Sequence, residues 1–351
     1  MTKRLILHIG QPKTGTTTLQ KTLQASRSAL INDGILYPNT GKNPNHIVIL
    51  PHLTGDSTAG QTPASNPQKF DPLKVMKLSN EKWSDLTESV NILNPNTIII
   101  SSEQLFRTRK NKARESLKNH LKSISSEIII TAYLREPASS ALSRAQQLLK
   151  SQPNFNLPHK DCFRRILEPY VKSDLGIVST RIFDRKNLEK GDIVADFCTH
   201  YIPDFDQSRL SYCTETNTTM SAEAMALMQE LNRKERTHPS IKALKKTIGS
   251  IDKKIEGFSR PQLHDHVRLA IQNRCTDLDW LKDQFGIVFP SVDKKTMTPN
   301  KADNICEGLD RVKDICIVDT DRKAALWSAL CNNRNYKRSF NRLLCRLLRK
   351  A

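Results

Sequence analysis

The sequence predicts an α/β protein: a parallel sheet flanked by helices, with a helical extension at the carboxyl end. Three observations carry that prediction. An apolar run, Leu5 to Ile9, breaks into a glycine-bounded loop and then into a helix-forming segment. Thr97 to Ser102 and Glu127 to Leu134 are continuous β-branched runs, the pattern of parallel strands buried on both faces. From Ser221 onward helix formers dominate, with little sign of further strands.

The first of these organises the rest. Leu5 to Gln20 reads LILHIGQPKTGTTTLQ, and Gly10 and Gly15 have the spacing of a P-loop, in which backbone N–H groups and a helix N-terminus wrap an anion. The sheet is therefore expected to be P-loop-like and doubly wound. A nucleoside triphosphatase places lysine directly after the second glycine, to reach the β/γ-phosphates, and Ser/Thr next, to hold Mg²⁺. Here Thr16 and Thr17 occupy those positions and the lysine, Lys13, lies inside the loop. Its ammonium would meet the anion near a bridging oxygen. Thr14 and Gly15 would supply loop backbone, and the hydroxyls of Thr16, Thr17 and Thr18 neutral donors.

In chain order, Thr16 to Ile31 carries Leu19, Leu23 and Leu30 at helical spacing and ends at Asn32-Asp33-Gly34, a C-cap signature. Ile35 to Pro38 reads as a short strand. Asn39 to Pro72, rich in Pro, Asn, Gly, Ser and Thr, reads as a long loop and a lid over an acceptor site. It contains His52 and also His46, a surface residue, an acceptor contact or a substitute base. Lys82 to Leu93 reads as a helix. Glu103 follows the strand Thr97 to Ser102 at its carboxyl end, where open α/β sheets bind ligands, and is read as a base or as a helix cap. Glu127 to Leu134 runs into Arg135-Glu136-Pro137 and a helix from Ala138 to Lys150.

The run PKTGTT after an apolar strand resembles the 5′-phosphosulfate loop of sulfotransferases that use 3′-phosphoadenosine 5′-phosphosulfate. A strand leading to Arg135, with Ser143 eight residues on in the next helix, resembles the 3′-phosphate motif of the same family. The chemistry suits the residues: a guanidinium makes paired charge-assisted bonds to phosphate, and a hydroxyl two turns along meets another oxygen. Cytosolic members use a histidine base after the inner strand and heparan-type members a glutamate, so the resemblance implies Glu103 as base and favours a carbohydrate acceptor, with other hydroxyl or amine compounds open. It implies 3′-phosphoadenosine 5′-phosphosulfate as co-substrate, adenosine 3′,5′-bisphosphate as product, and no metal. The stretch RIFDRKNLEKGDIVADFC is similar to bacterial sulfotransferase-like proteins, and the resemblance spans roughly Leu5 to Tyr201.

Ile177 to Phe183 continues the pattern as a strand and Gly191 to Tyr201 as a helix. Thr and Asn cluster at Gln207 to Asn217, which divides the chain into an α/β domain over 1–210 and a helical extension over 211–351. Helices are expected at Ser221 to Arg233, opened by a capping-box-like Ser-Ala-Glu-Ala, at Ile241 to Ile255 and at Gln262 to Asn273, while Asp279 to Phe289 returns toward the first domain. The tail, Tyr336 to Ala351, carries an apolar stripe among basic residues and reads as a helix that docks on its own domain or touches anionic membrane peripherally.

Fifty-five Lys and Arg against 36 Asp and Glu leave a formal charge of +19, which favours anionic partners without choosing among them. No nucleic-acid fold signature accompanies the charge, so no nucleic-acid partner is expected. The eight cysteines are far apart, with no C-x-x-C pair and none in the first 161 residues, which argues against thiol catalysis and zinc and for reduced thiols. The short apolar run at the amino terminus is used as the first strand and leaves no signal peptide, so a cytoplasmic protein is expected. Two other readings stay open: a P-loop kinase or triphosphatase, and a basic nucleic-acid- or membrane-binding protein with an inert loop.

Overall fold

The computed structural model describes residues 4–60, 70–108, 110–157, 160, 162–213, 219–234, 247–292 and 297–332. Five strands, β1 (Arg4–His8), β2 (Ile35–Leu36), β3 (Thr97–Ser101), β4 (Ile128–Leu134) and β5 (Ile177–Ile182), form one all-parallel sheet in the order β2-β3-β1-β4-β5. Leu5, Ile6 and Leu7 of the central strand are fully buried, which is why the run is apolar without alternation. The chain builds β2 and β3 on one side of β1 and then β4 and β5 on the other. The carboxyl end of β1 is thus the point where strand order reverses, the usual ligand crevice of such sheets.

Helices connect and flank the strands. The loop after β1 leads into α1 (Thr16–Ala25), followed by α2 (Arg27–Asn32). The expected single helix from Thr16 to Ile31 breaks at Ser26, where φ is −96° and ψ 9° and the hydroxyl accepts the Ser211 N–H at 2.9 Å. Leu19 and Leu23 of α1 pack with Tyr133 and with Val194 and Phe197 of a later helix, Ile193–Tyr201, in one apolar cluster.

The stretch expected to be a structureless lid is largely ordered. Ile47–Ile49 form a 3-10 turn and Leu50–Thr54 a short helix, α3, with Ile49, Leu50 and Leu53 buried. His46 stitches it to the sheet, donating its backbone N–H to the Ser101 carbonyl at 2.9 Å. The next helix, α4 (Pro72–Leu93), starts ten residues before the expected Lys82. Its start is signalled by Pro72 in the first turn and by Asp71, whose carboxylate accepts the N–H groups of Leu73 and Lys74. Leu73 and Leu78, 82 % and 46 % exposed, blur the apolar period there. The central part of the expected lid, 61–69, lies outside the described residues.

Further along come α5 (Asn111–Lys122), α6 (Pro137–Leu149), α7 (Arg164–Lys172) and α8 (Ile193–Tyr201). The chain divides into two compact units. One holds all five strands, in Met1–Glu136, Asp161–Glu215 and Asp277–Phe289; the other comprises Pro137–Lys160, Thr216–Thr276 and Pro290–Ala351. The expected boundary at 210/211 falls near one crossing, but the second unit also takes α6. The reason is the small-residue face of α6: Ala138, Ala141 and Ala145 admit Met225 and Met228 of α9 (Ala222–Lys234) into a shared core with Val267, Ala302 and Leu326. Asp277–Phe289 rejoins the first unit, as its sequence suggests.

Within the second unit Ser221 caps α9, accepting the Ala224 N–H at 3.1 Å, while Glu223 is used in an ion pair rather than in a capping box. Arg322 lies between Glu223 (2.9 Å) and Asp252 (2.9 Å) and also donates to Ser221 Oγ and the Glu256 carbonyl, so this buried charge is fully partnered. The helix expected at Ile241 to Ile255 is described only from residue 247, and the one expected at Gln262 to Asn273 runs over Asp265–Arg274. The basic tail, 336–351, lies outside the described residues. Among them, no helix is long and apolar enough to cross a membrane.

Candidate functional site

The site is built on the segment between β1 and α1. Gly10 and Gly15 have φ of 44° and 73°, conformations that favour glycine. A Cβ would crowd a neighbour at both: at Gly10 it would lie 2.8 Å from Thr16 Cγ2, and at Gly15 it would meet Phe183 and Ile193 at 3.1 and 3.2 Å. Lys13 also takes a left-handed conformation, φ 74°, so the loop curls around its own backbone. Thr14 is buried and its hydroxyl donates to the Gln11 carbonyl at 2.6 Å. The Thr14 side chain thus braces the loop, and the role expected of this residue was one for its backbone.

Thr16, Thr17 and Thr18 open α1, and the N–H groups of a first helical turn have no intrahelical partner. Three backbone donors therefore converge at this helix N-terminus, the kind of place where anions are held. Thr17 is exposed, Thr18 half-buried and Thr16 buried. The Thr16 hydroxyl donates to Glu103 Oε1, so it orients the carboxylate and serves an anion only through its N–H. Glu103 opens the 3-10 turn Glu103–Arg107 just after β3 and is partly exposed.

From the other neighbour of β1, Arg135 comes to the same loop. Its backbone N–H donates to Gln11 Oε1 at 2.7 Å and its Nη1 to the Lys13 carbonyl at 3.1 Å. Lys13, Gly15, Thr16, Thr17, Glu103 and Arg135 are thus gathered at the carboxyl ends of β1, β3 and β4. Ser143 lies on α6, in the second unit.

His46 is not a surface residue or a reachable base. It is fully buried; its Nδ1 accepts the Ser101 N–H at 2.9 Å and its Nε2 therefore carries the proton, donated to the Pro38 carbonyl at 3.1 Å. Burial, outweighing those backbone bonds, pushes its pKa down to about 4. With both nitrogens occupied, the ring pins residues 38–46 to the end of β3 and has no lone pair for an acceptor.

No protein-family model matches the chain, and no curated protein matches it.

Three polar features of the site are absent from the sequence reading. Gln11 links the loop to Arg135. Beneath the loop, Ser101 Oγ accepts Gln20 Nε2–H at 3.0 Å and lies 2.8 Å from His8 Nδ1. Behind β4, Asp196 accepts Tyr133 O–H (2.8 Å), Arg181 Nε–H and Nη2–H (2.5 and 2.9 Å) and the Glu189 N–H (3.0 Å). Burial alone would raise the Asp196 carboxyl, but these donors together hold it below its usual range. A signal was present for the last two: His8 interrupts an apolar strand, Gln20 sits on the apolar face of α1 with Leu19 and Leu23, and Asp196 lies among buried positions of α8. The cleft lined by Arg4, Asn96, Thr97, Glu127 and Phe205 is at the amino ends of the strands, away from these groups.

Proposed function

We propose that this protein moves a sulfuryl group from 3′-phosphoadenosine 5′-phosphosulfate to an acceptor hydroxyl or amine, with a carbohydrate the favoured acceptor, on a P-loop-like doubly wound scaffold. The observation that carries the reading is Arg135: its two hydrogen bonds to the loop bring the phosphosulfate-loop motif and the strand-to-arginine motif into one site. An unrelated basic surface gives no reason for that pairing.

In this reading the N–H groups of Thr16, Thr17 and Thr18, the loop backbone at Thr14 and Gly15, and the Thr17 hydroxyl hold the 5′-phosphosulfate. The acceptor oxygen attacks sulfur in line with the bridging oxygen. The bond from sulfur to the bridging oxygen breaks, a bond from sulfur to the acceptor forms, and charge grows on the departing phosphate. Lys13 meets that charge, so its contribution is to the transition state more than to binding. Glu103 takes the acceptor proton, its carboxylate oriented by Thr16. Arg135 addresses the 3′-phosphate. Ser143 joins it by spacing alone, and a cytoplasmic location is the corresponding expectation for the enzyme.

Calorimetric titration in the presence of chelator tests the reading. Adenosine 3′,5′-bisphosphate is expected to bind without metal and more tightly than adenosine 5′-phosphate, and labelled donor is expected to sulfate members of a carbohydrate panel. Equal binding of the two nucleotides, or Mg²⁺-dependent ATP turnover, would overturn it in favour of a kinase or triphosphatase.

A further inference from the structure

Beneath the loop, one buried hydrogen-bonding nitrogen has no partner. His8 closes β1 and is 1 % exposed, its ring edge-on to Tyr133 and Phe197 with centroids 6.1 and 6.0 Å away. Nδ1 faces Ser101 Oγ at 2.8 Å. Nε2 is sealed from solvent and has no hydrogen-bond partner among the described residues. It lies 3.3 Å from the point that a Cβ on Gly10 would occupy, so this edge of the ring abuts the foot of the loop.

The neighbours decide which nitrogen holds the proton. If Nδ1–H donated to Ser101 Oγ, the serine proton would have no acceptor and the Nε2 lone pair no donor. If instead Ser101 O–H donates to Nδ1, the serine both accepts from Gln20 and donates to His8, and only Nε2–H is left over. Fewer buried groups go unmet in the second arrangement, which therefore prevails. Burial pushes the ring's pKa down to about 4, so the imidazole is neutral. The result is a fixed, uncharged N–H donor in dry surroundings against the loop read above as an anion cradle.

We propose that His8 Nε2–H is a further donor of the anion site, reached by an oxygen of a phosphate- or sulfate-class group when the Gly10 foot of the loop and the Thr16 methyl shift to admit it. Gln20 and Ser101 are positioning residues that hold the tautomer. The inference rests on the loop being an oxyanion site but not on the ligand being a phosphosulfate. Its chemistry differs from that of Lys13: a neutral donor sorts oxygens by hydrogen bonding and adds no charge to the site.

The test uses the full chain, with inorganic sulfate and adenosine 3′,5′-bisphosphate as probes. His8→Phe keeps the ring and removes the donor; it is expected to keep the thermal midpoint within a few degrees and to weaken both probes roughly ten- to a hundredfold, the range for a bond to a charged acceptor. Independently, ring-¹⁵N histidine spectra of the unaltered protein should show His8 Nε2 protonated and its proton shifted downfield when sulfate is added. Unchanged affinity in His8→Phe overturns the inference, as does an unprotonated or unmoved Nε2, which also decides the matter if the variant does not fold. Sulfate binding that depends on His8, without bisphosphate binding, supports the inference and removes the sulfotransferase reading. Tight bisphosphate binding unaffected by His8→Phe does the reverse, and binding of neither probe removes both.

Discussion

The Thr16 hydroxyl donates to the Glu103 carboxylate, joining the first turn of α1 to the turn after β3. The proposed anion site and the proposed base are therefore one construction, and a change at either should be felt at the other.

Glu103→Gln keeps an oxygen for Thr16 but cannot take a proton near neutral pH. Turnover should fall by about 10²–10⁴-fold, the usual worth of a general base, with bisphosphate affinity nearly unchanged. Thr16→Val should lower turnover less and move the pH profile of kcat, since it releases the carboxylate without removing it, while Thr16→Ser should behave like the parent. An active Glu103→Gln would reduce Glu103 to a helix-turn residue.

Lys13 and Arg135 should fail differently. Lys13→Gly removes the ammonium and suits the left-handed backbone, so stability should change by no more than about 1 kcal/mol while turnover collapses. Arg135→Ala should raise the donor's KM more than it lowers kcat, because the phosphate that it addresses does not react. Steady-state kinetics with denaturant unfolding separates the two. Equal losses in kcat with donor affinity intact would remove the distinction.

Acid should destabilise the fold through His46 and His8. Burial depresses both from 6.5 to about 4, so between those values the unfolded chain binds protons that the folded one does not, and stability falls as pH drops from 6.5 toward 4. On lowering pH from 7 to 5 each histidine should cost on the order of 2 kcal/mol. Urea midpoints across that range should show the fall, and His46→Asn should flatten it. A midpoint independent of pH there would contradict the burial of both rings.

Asp196→Asn should be destabilising, by about 2 kcal/mol, because it removes the charge partner of the half-buried Arg181 guanidinium on the edge strand β5. Tyr133→Phe removes one neutral donor to the same carboxylate and should cost about 1 kcal/mol. Denaturant unfolding of the two variants checks the order. A larger effect from Tyr133→Phe would mean that the hydroxyl, not the ion pair, holds this region.

The sequence by itself determined the sheet and the loop. Ile98 to Ile100 and Ile128 to Ile130 are apolar without alternation because a parallel strand is covered on both faces, and Gly10 and Gly15 stand where left-handed backbone favours glycine; both are local necessities that leave a readable pattern. Only the tertiary structure decided which polar groups meet. Arg135 and Gln11 are 124 positions apart and Thr16 and Glu103 87 apart, and their pairing follows from β3 and β4 flanking β1, an order that no local propensity encodes. His46 was misjudged for the same reason. Its neighbours Asn39 to Pro44 read as loop, but a polar ring that exchanges hydrogen bonds with the backbone of Pro38 and Ser101 can be buried at little cost, and those partners come from chain folding rather than from sequence proximity.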